Sequence, residues 1–255
     1  EEFPVLADGV VRSAGDAVAL VAADHEAAVR TAVDALSVEL DPRPGVYDPE
    51  EALADDPGAE VGRYTLTRGN TDRAFEEADV IVEHTYTTRQ ADHCFIEPEA
   101  GVAWIDSTGV INIRWPTQLL ENYRAVAGVL GVPAGRVRIQ SPMVGGGFGG
   151  KEQPLVAAWL ALLAQAARRP VRMTLSREDT FLGGSKKHPF VMKYRTAAKG
   201  DGTLTAMDVE VLADAGAYRT NTAIITMGAM VLAQGSYNVE NVRVAVRGAV
   251  TNRPF

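Results

Sequence analysis

Five glycines fall within six residues, Gly145-Gly146-Gly147-Phe148-Gly149-Gly150, between an apolar strand-like segment and a long apolar helix-like one. No other feature limits the chain as strongly. Each glycine costs backbone entropy on folding, so a plain turn has little use for five. Bare backbone N–H groups that must approach a ligand closely give the better account. Two borrowed readings compete. Gly145, Gly147 and Gly150 satisfy G-x-G-x-x-G, but Glu178, the first acid after the next strand, lies well beyond the roughly 20 residues a dinucleotide fingerprint asks for, and Pro142 breaks the approach. Gly145 to Lys151 satisfies most of a P-loop, but Glu152 stands where a hydroxyl would meet magnesium, and its carboxylate repels phosphate.

Composition narrows the classes. The 255 residues carry 25 Lys+Arg against 33 Asp+Glu, a formal charge of -8, with 46% hydrophobic residues and one cysteine. Nucleic-acid binding lacks its basic face, and acidic ligands are disfavoured by the overall charge. Cys94 alone closes no intrachain disulfide and holds neither an iron–sulfur cluster nor a cysteine-based zinc site, so any such centre is expected on another chain or on further sequence. No apolar run approaches the ~20 residues of a membrane span. The start, Glu1-Glu2-Phe3-Pro4, has neither Met nor a signal-peptide core, and the chain reads as a cytoplasmic piece of something longer.

Periodicity predicts a buried strand over 17–21, a helix capped by Asp24 with Ala28, Val29, Ala32, Val33 and Leu36 on one face, and period-two residues again at Val38 and Leu40. Pro42, Pro44, Pro49 and Asp55-Asp56-Pro57-Gly58 mark a linker. Next come a short helix capped by Thr71 or Asn70, strand 80–88, a hairpin of 102–105 with 110–115, helix 121–130 ending at Gly131, and strand 136–140. Beyond the glycines stand a helix from Pro154 to Arg168, strands at 171–175, 190–198 and 203–213, helix 222–234 and strand 242–250. Strands and helices alternate without a regular βαβ rhythm, so the expected class is α+β.

The glycine motif, with Lys151-Glu152, resembles the signature of the molybdopterin-binding large subunit of the xanthine dehydrogenase and aldehyde oxidase family of molybdenum hydroxylases. Trp115-Pro116-Thr117-Gln118, Leu130-Gly131-Val132-Pro133, Arg136-Val137-Arg138-Ile139 and His93 with Glu97-Pro98-Glu99 resemble the family's segments upstream. Downstream, Arg169-Pro170-Val171-Arg172, Ser176-Arg177-Glu178-Asp179, Lys187-His188-Pro189-Phe190, Asp214-Ala215-Gly216-Ala217-Tyr218 and Thr251-Asn252-Arg253-Pro254 follow in the family's order. The resemblance divides the chain into residues 1–48, the later part of a hammerhead-like α/β domain, a linker at 49–58, and 59–255, the first part of a molybdopterin-binding α+β domain.

The resemblance implies hydroxylation of an electron-poor carbon in a purine-like N-heterocycle or an aldehyde, with water as oxygen source. It implies molybdenum–molybdopterin, its cytosine dinucleotide form included, with iron–sulfur clusters and FAD on other chains or domains. Gln118 matches the glutamine that hydrogen-bonds an oxygen on the molybdenum, Gly146, Gly147 and Phe148 the backbone against the cofactor, and Glu152 a substrate-binding glutamate with a catalytic part. Each has a plainer reading: Gln118 as a solvated strand end, Phe148 as a core anchor, Glu152 as an acid favoured by a helix N-terminus. No residue is assigned to ligate metal. His25 reads as a helix-surface residue and His84 as structural, His93 and Cys94 lack the spacing partners of a metal site and read as packing residues or as residues supporting the site from behind, and no particular chemistry follows from Lys187 or His188. No G-x-S-x-G elbow occurs. Phe255 falls before the family's arginine-bearing segment and the second half, with its general-base glutamate and most pterin contacts, so the remainder of that subunit, an iron–sulfur subunit and a FAD subunit are the expected partners. Two rival readings remain at this point: a non-catalytic fragment or assembly module, and a nucleotide-binding protein using residues 145–150.

Overall fold

A computed structural model describes residues 3–255; Glu1 and Glu2, the start of the segment read for a leader, lie outside the described residues. Two mixed sheets with helices against them build the domain, which agrees with an α+β class.

The first sheet has four strands in the order β6 (Val137–Gln140), β5 (Ile111–Arg114), β4 (Ala100–Ile105), β7 (Val171–Thr174). The hairpin around Asp106-Ser107-Thr108-Gly109 forms as expected, Asp106 Oδ1 accepting from Thr108 N at 2.9 Å and from Val110 N at 3.1 Å. Against this sheet lies α5 (Leu155–Ala167), apolar on nearly every face and therefore buried, with Leu160, Ala161 and Ala164 meeting Ile113 and Trp115. Helix α4 (Tyr123–Leu130), closed by Gly131 at φ 65, packs alongside.

The second sheet runs β1 (Glu60–Arg68), β11 (Asn241–Val250), β10 (Leu204–Gly216), β9 (Phe190–Ala198), β2 (Val80–Thr87). Val242, Val244 and Val246 alternate inward with Met207, Val209 and Val211, and α7 (Thr222–Leu232) covers them. On the opposite face α3 (Thr71–Glu76), capped by Asn70, buries Phe75 over Ala197 and Ala206. Helix α7 leaves Ile224, Met227, Val231 and Leu232 exposed along its outer side. A two-stranded piece, β3 (Ala91–Asp92) with β8 (Lys186–Lys187), stands beside the first sheet's loops. No helix among the described residues is long and apolar enough to cross a membrane.

Several expectations need correction. Residues 17–21 form no strand: the main chain there is tied by Ala7 N to Ala17 O at 2.8 Å, and no partner strand runs beside it among the described residues. Ala17 and Leu20 still pack on the core of the first sheet. The first helix, α1 (Glu26–Asp34), begins one residue later than expected, so His25 Nδ1 caps it from Ala28 N at 3.2 Å while Asp24 meets Arg169 at 2.6 Å. Val38 and Leu40 are exposed and outside any strand. Within 49–58, read as a linker, α2 (Pro49–Asp55) and a 3-10 turn at Pro57–Ala59 form. Asp-Pro pairs suit turns, but they equally supply an N-cap followed by a first helical residue: Asp48 Oδ1 accepts from Glu50 N at 2.7 Å, and Ala52 packs on Leu212 and Ala249. Strand β1 went unread, as did α6 (Arg177–Gly183), whose Ser176/Asp179 capping box is visible in the sequence.

Candidate functional site

Strands β5 and β6 are parallel, pairing Arg114 with Gln140, so both chains leave the sheet at the same end. After β5 comes Trp115-Pro116-Thr117-Gln118; after β6 comes the glycine run. Topology therefore brings together segments about thirty residues apart, at the carboxyl ends of parallel strands where ligands commonly sit.

The join is dense. Gln118 N donates to Lys151 O at 3.0 Å, Thr117 Oγ1 to the same oxygen at 3.1 Å, and Asn122 Nδ2 to Glu152 O at 2.9 Å. The Gln118 side chain turns to the loop, its Oε1 accepting from Gly149 N at 3.0 Å and Lys151 N at 3.3 Å. Both acceptor contacts use the carbonyl end, which leaves the two N–H bonds of Nε2 free to donate outward. A Cβ on Gly147 would stand 2.2 Å from Gln118 Oε1, and Gly146 takes φ +104, so neither position accommodates a side chain. Phe148 adopts φ 54, uncommon for a non-glycine residue, and presents its ring outward at 67% exposure. It is not a core anchor.

The loop is held from below by groups to which the sequence motifs gave no role of their own. The Lys151 side chain is fully buried; its ammonium pairs with a Glu97 carboxylate oxygen and stands 4.5 Å from the Phe95 ring centroid. Arg177 Nη1 donates to Phe95 O at 2.9 Å. The family-like segment Glu97-Pro98-Glu99 thus supplies two buried contacts, since Glu99 Oε2 accepts from Trp115 Nε1 at 2.8 Å, and burial pushes the Glu99 carboxyl above its usual range. With its ammonium taken by Glu97, Lys151 has no reach to a phosphate, and α5 starts at Leu155, beyond the loop. That removes the basis for the nucleotide reading of 145–150.

Phe148, Gly149 and Glu152 form one wall of a cavity of about 580 Å³. The opposite wall comes from β8, His188 and the start of α7. Glu152 Oε2 accepts from Asn221 Nδ2 at 2.9 Å. His93 Nδ1 lies 3.1 Å from Ser185 O, and burial lowers its pKa. His188 Nε2 lies 2.8 Å from Thr222 Oγ1; burial, with His93 nearby, brings it down to about 4, so both rings are neutral near pH 7. Lys186, 3.2 Å from Asp92, is also lowered by burial, and Lys187 is exposed at the rim. Of the five residues expected at the site, Phe148 and Glu152 line this cavity, whereas Gln118, Gly146 and Gly147 meet one another in the adjoining loop and are not among its lining residues. Glu152 is a cavity-lining side chain rather than a helix-terminal acid, because Gln153 and Pro154 separate it from α5. Asn221 was missed because an asparagine ahead of a helix ordinarily reads as a cap.

The donor set suits a cofactor rich in polar oxygens. It offers a glycine cradle that a Cβ would fill, an amide with free N–H groups and an outward aromatic ring. Among the described residues no group of His, Cys, Asp or Glu is placed to ligate a metal ion directly. Residues 54–255 match the molybdopterin cofactor-binding domain family. The chain is 39% identical to the nicotinate dehydrogenase large molybdopterin subunit of Eubacterium barkeri, covering 100% of this chain and 62% of that protein. It is 31% identical to a probable xanthine dehydrogenase subunit of Bacillus subtilis (strain 168), covering 98% of this chain and 34% of that one. The solved aldehyde oxidoreductase from Desulfovibrio gigas superposes with a TM-score of 0.95 at 30% identity, over 99% of this chain and 29% of its own. The chain spans less than two thirds of each of these relatives. With the glycine cradle and the Gln118 clamp standing on the matched residues, the chain belongs to the family of molybdopterin-binding large subunits that includes xanthine dehydrogenases and aldehyde oxidoreductases.

Proposed function

We propose that this chain forms one wall of a molybdenum hydroxylase active site that oxidises a purine-like N-heterocycle or an aldehyde, with water as the source of oxygen. The carrying observation is the Gln118 amide: with Oε1 held by Gly149 N and Lys151 N, its Nε2 has no partner among the described residues and two N–H groups to offer a ligand. In this reading residues 59–255 are the first part of the cofactor-binding domain, and 1–48 are the later part of a hammerhead-like domain. The start of the family match at residue 54 supports that division.

Gln118, Gly146, Gly147 and Phe148 would hold molybdenum–molybdopterin, with the cytosine dinucleotide form among the options. The bound group supplies the transfer of oxygen and the acceptance of two electrons. The protein's own contributions are positional. Gln118 donates to an oxygen of the group, the glycine backbone permits close approach, and Phe148 shields one side of the cavity from water. Glu152 accepts a hydrogen bond from substrate, holding the reacting carbon in place. Iron–sulfur clusters and FAD on partner subunits or domains would carry the electrons away. The rest of the molybdenum subunit completes the cavity, and the assembly works in the cytoplasm.

The test is turnover in water enriched in ¹⁸O by the complete enzyme containing this chain, offered hypoxanthine and benzaldehyde, beside its Gln118→Ala variant. We expect ¹⁸O in the product and a loss of metal per chain or of turnover in the variant. Product oxygen drawn from dioxygen, or a variant unchanged in metal content and rate, would refute the assignment.

A further inference from the structure

Asn221 immediately precedes α7, where an asparagine side chain ordinarily accepts a hydrogen bond from the helix's first turn. Here it makes no capping bond. Its Nδ2 donates instead to Glu152 Oε2 at 2.9 Å, across residues that line the same cavity. Glu152 is the only carboxylate among the described residues lining that cavity, and its Oε1 has no hydrogen-bond partner among them. A capping contact is given up for an interaction with a single acidic side chain.

We propose that Asn221 is a positioning residue that sets substrate specificity: by holding Glu152 Oε2 it fixes the carboxyl with Oε1 left for the ligand, so the site favours rings that bring an N–H or O–H donor. This rests on the reading of Glu152 as substrate-facing. An amide N–H donated to one carboxyl oxygen fixes the plane of the group and leaves the other oxygen to accept. The other charged and titratable groups of the cavity are Arg89, His93, Lys186, Lys187 and His188. None of them hydrogen-bonds Glu152, and both imidazoles are neutral near pH 7. A neutral carbonyl compound without a donor gains nothing from such an acceptor. A heterocycle with ring N–H groups does.

Two variants of the complete enzyme separate this role from a structural one. Asn221→Ser keeps a small polar residue ahead of α7 and removes the amide donor; Asn221→Asp keeps the shape and places a second carboxylate against the first. With Asn221→Ser we expect KM for hypoxanthine to rise about fivefold to tenfold with kcat within about twofold, the scale of one ordinary hydrogen bond. With Asn221→Asp the two carboxyls share a proton, so kcat/KM for hypoxanthine gains an acidic limb absent from the wild type and recovers as pH rises. The benzaldehyde profile keeps its shape and height in both variants. Equal changes for both substrates, or none for either, would overturn the proposal. If the wild-type enzyme turns over neither compound, the reading of the reaction fails, and equilibrium binding of urate still decides Asn221. Weaker urate binding by both variants at pH 6 supports the inference; unchanged binding, or none to the wild type, overturns it.

Discussion

Removal of one member of the Glu97–Lys151 pair should be far more damaging on one side than on the other. The Lys151 side chain is fully enclosed, whereas Glu97 keeps 30% of its side chain exposed. Glu97→Gln therefore strands a cation where water cannot follow. Breaking a buried pair costs about 3–5 kcal/mol, and the Phe95 face returns about 0.5–2 kcal/mol. A net loss of about 3 kcal/mol lowers the melting midpoint of a chain this size by about 6–12 °C. Lys151→Met fills similar space and leaves a carboxylate that can turn to solvent, for a loss of about 1 kcal/mol. The double variant removes both charges and should regain most of what Glu97→Gln loses. Thermal and urea melts of the four proteins, followed by circular dichroism, give the coupling energy from the cycle. Equal losses in the two single variants, or a double variant whose loss is their sum, would refute the picture of a buried strut under the loop.

Further outcomes follow from neighbouring contacts. Gly147→Ala puts a Cβ 2.2 Å from Gln118 Oε1 and should push the amide off Gly149 N and Lys151 N, at about 1–2 kcal/mol of stability. In the complete enzyme, metal per chain should fall with it; unchanged metal content would count against the cradle. His188 titrates near 4 when folded and near 6.5 when unfolded, so between those values the unfolded chain binds the extra proton and stability rises with pH, by at most about 3 kcal/mol. His188→Asn should flatten that slope in urea midpoints measured from pH 4 to 7, and an unaltered slope would place the acid sensitivity elsewhere. Trp115→Phe deprives buried Glu99 of its donor at a cost of about 1–3 kcal/mol. The cost should be larger at pH 7 than at pH 5, where a proton replaces the lost N–H; a pH-independent difference would argue against that cause.

Long apolar or strictly alternating segments were legible because one burial pattern decides them. Helix α5 is apolar almost throughout and is buried, and β11 alternates, burying Val242, Val244 and Val246 at every second residue. Segments whose state depends on a neighbour were not. Residues 17–21 carry a strand's composition and no partner to pair with among the described residues, so composition alone misleads. Asp48-Pro49 looks like a turn and starts a helix, since the same two residue types satisfy both geometries and only the packing of Ala52 on Leu212 and Ala249 selects one.

The site divides along the same line. Gln118 and the glycine run were readable because close backbone approach admits few residue types, and the parallel pairing of β5 with β6 then brings them together. The roles of Lys151 and Asn221 were not legible, because local rules give each a ready use, phosphate binding for a lysine after glycines and capping for an asparagine before a helix. Tertiary contacts withdraw both. Lys151 is enclosed with Glu97, and the Asn221 amide is committed to Glu152. In each case a charged or polar group departs from its local preference to meet a carboxylate at the cavity or beneath its wall. The unused cap ahead of α7 thus points to the cavity: the Asn221 side chain makes no capping bond, worth about 1 kcal/mol, and donates to Glu152 instead.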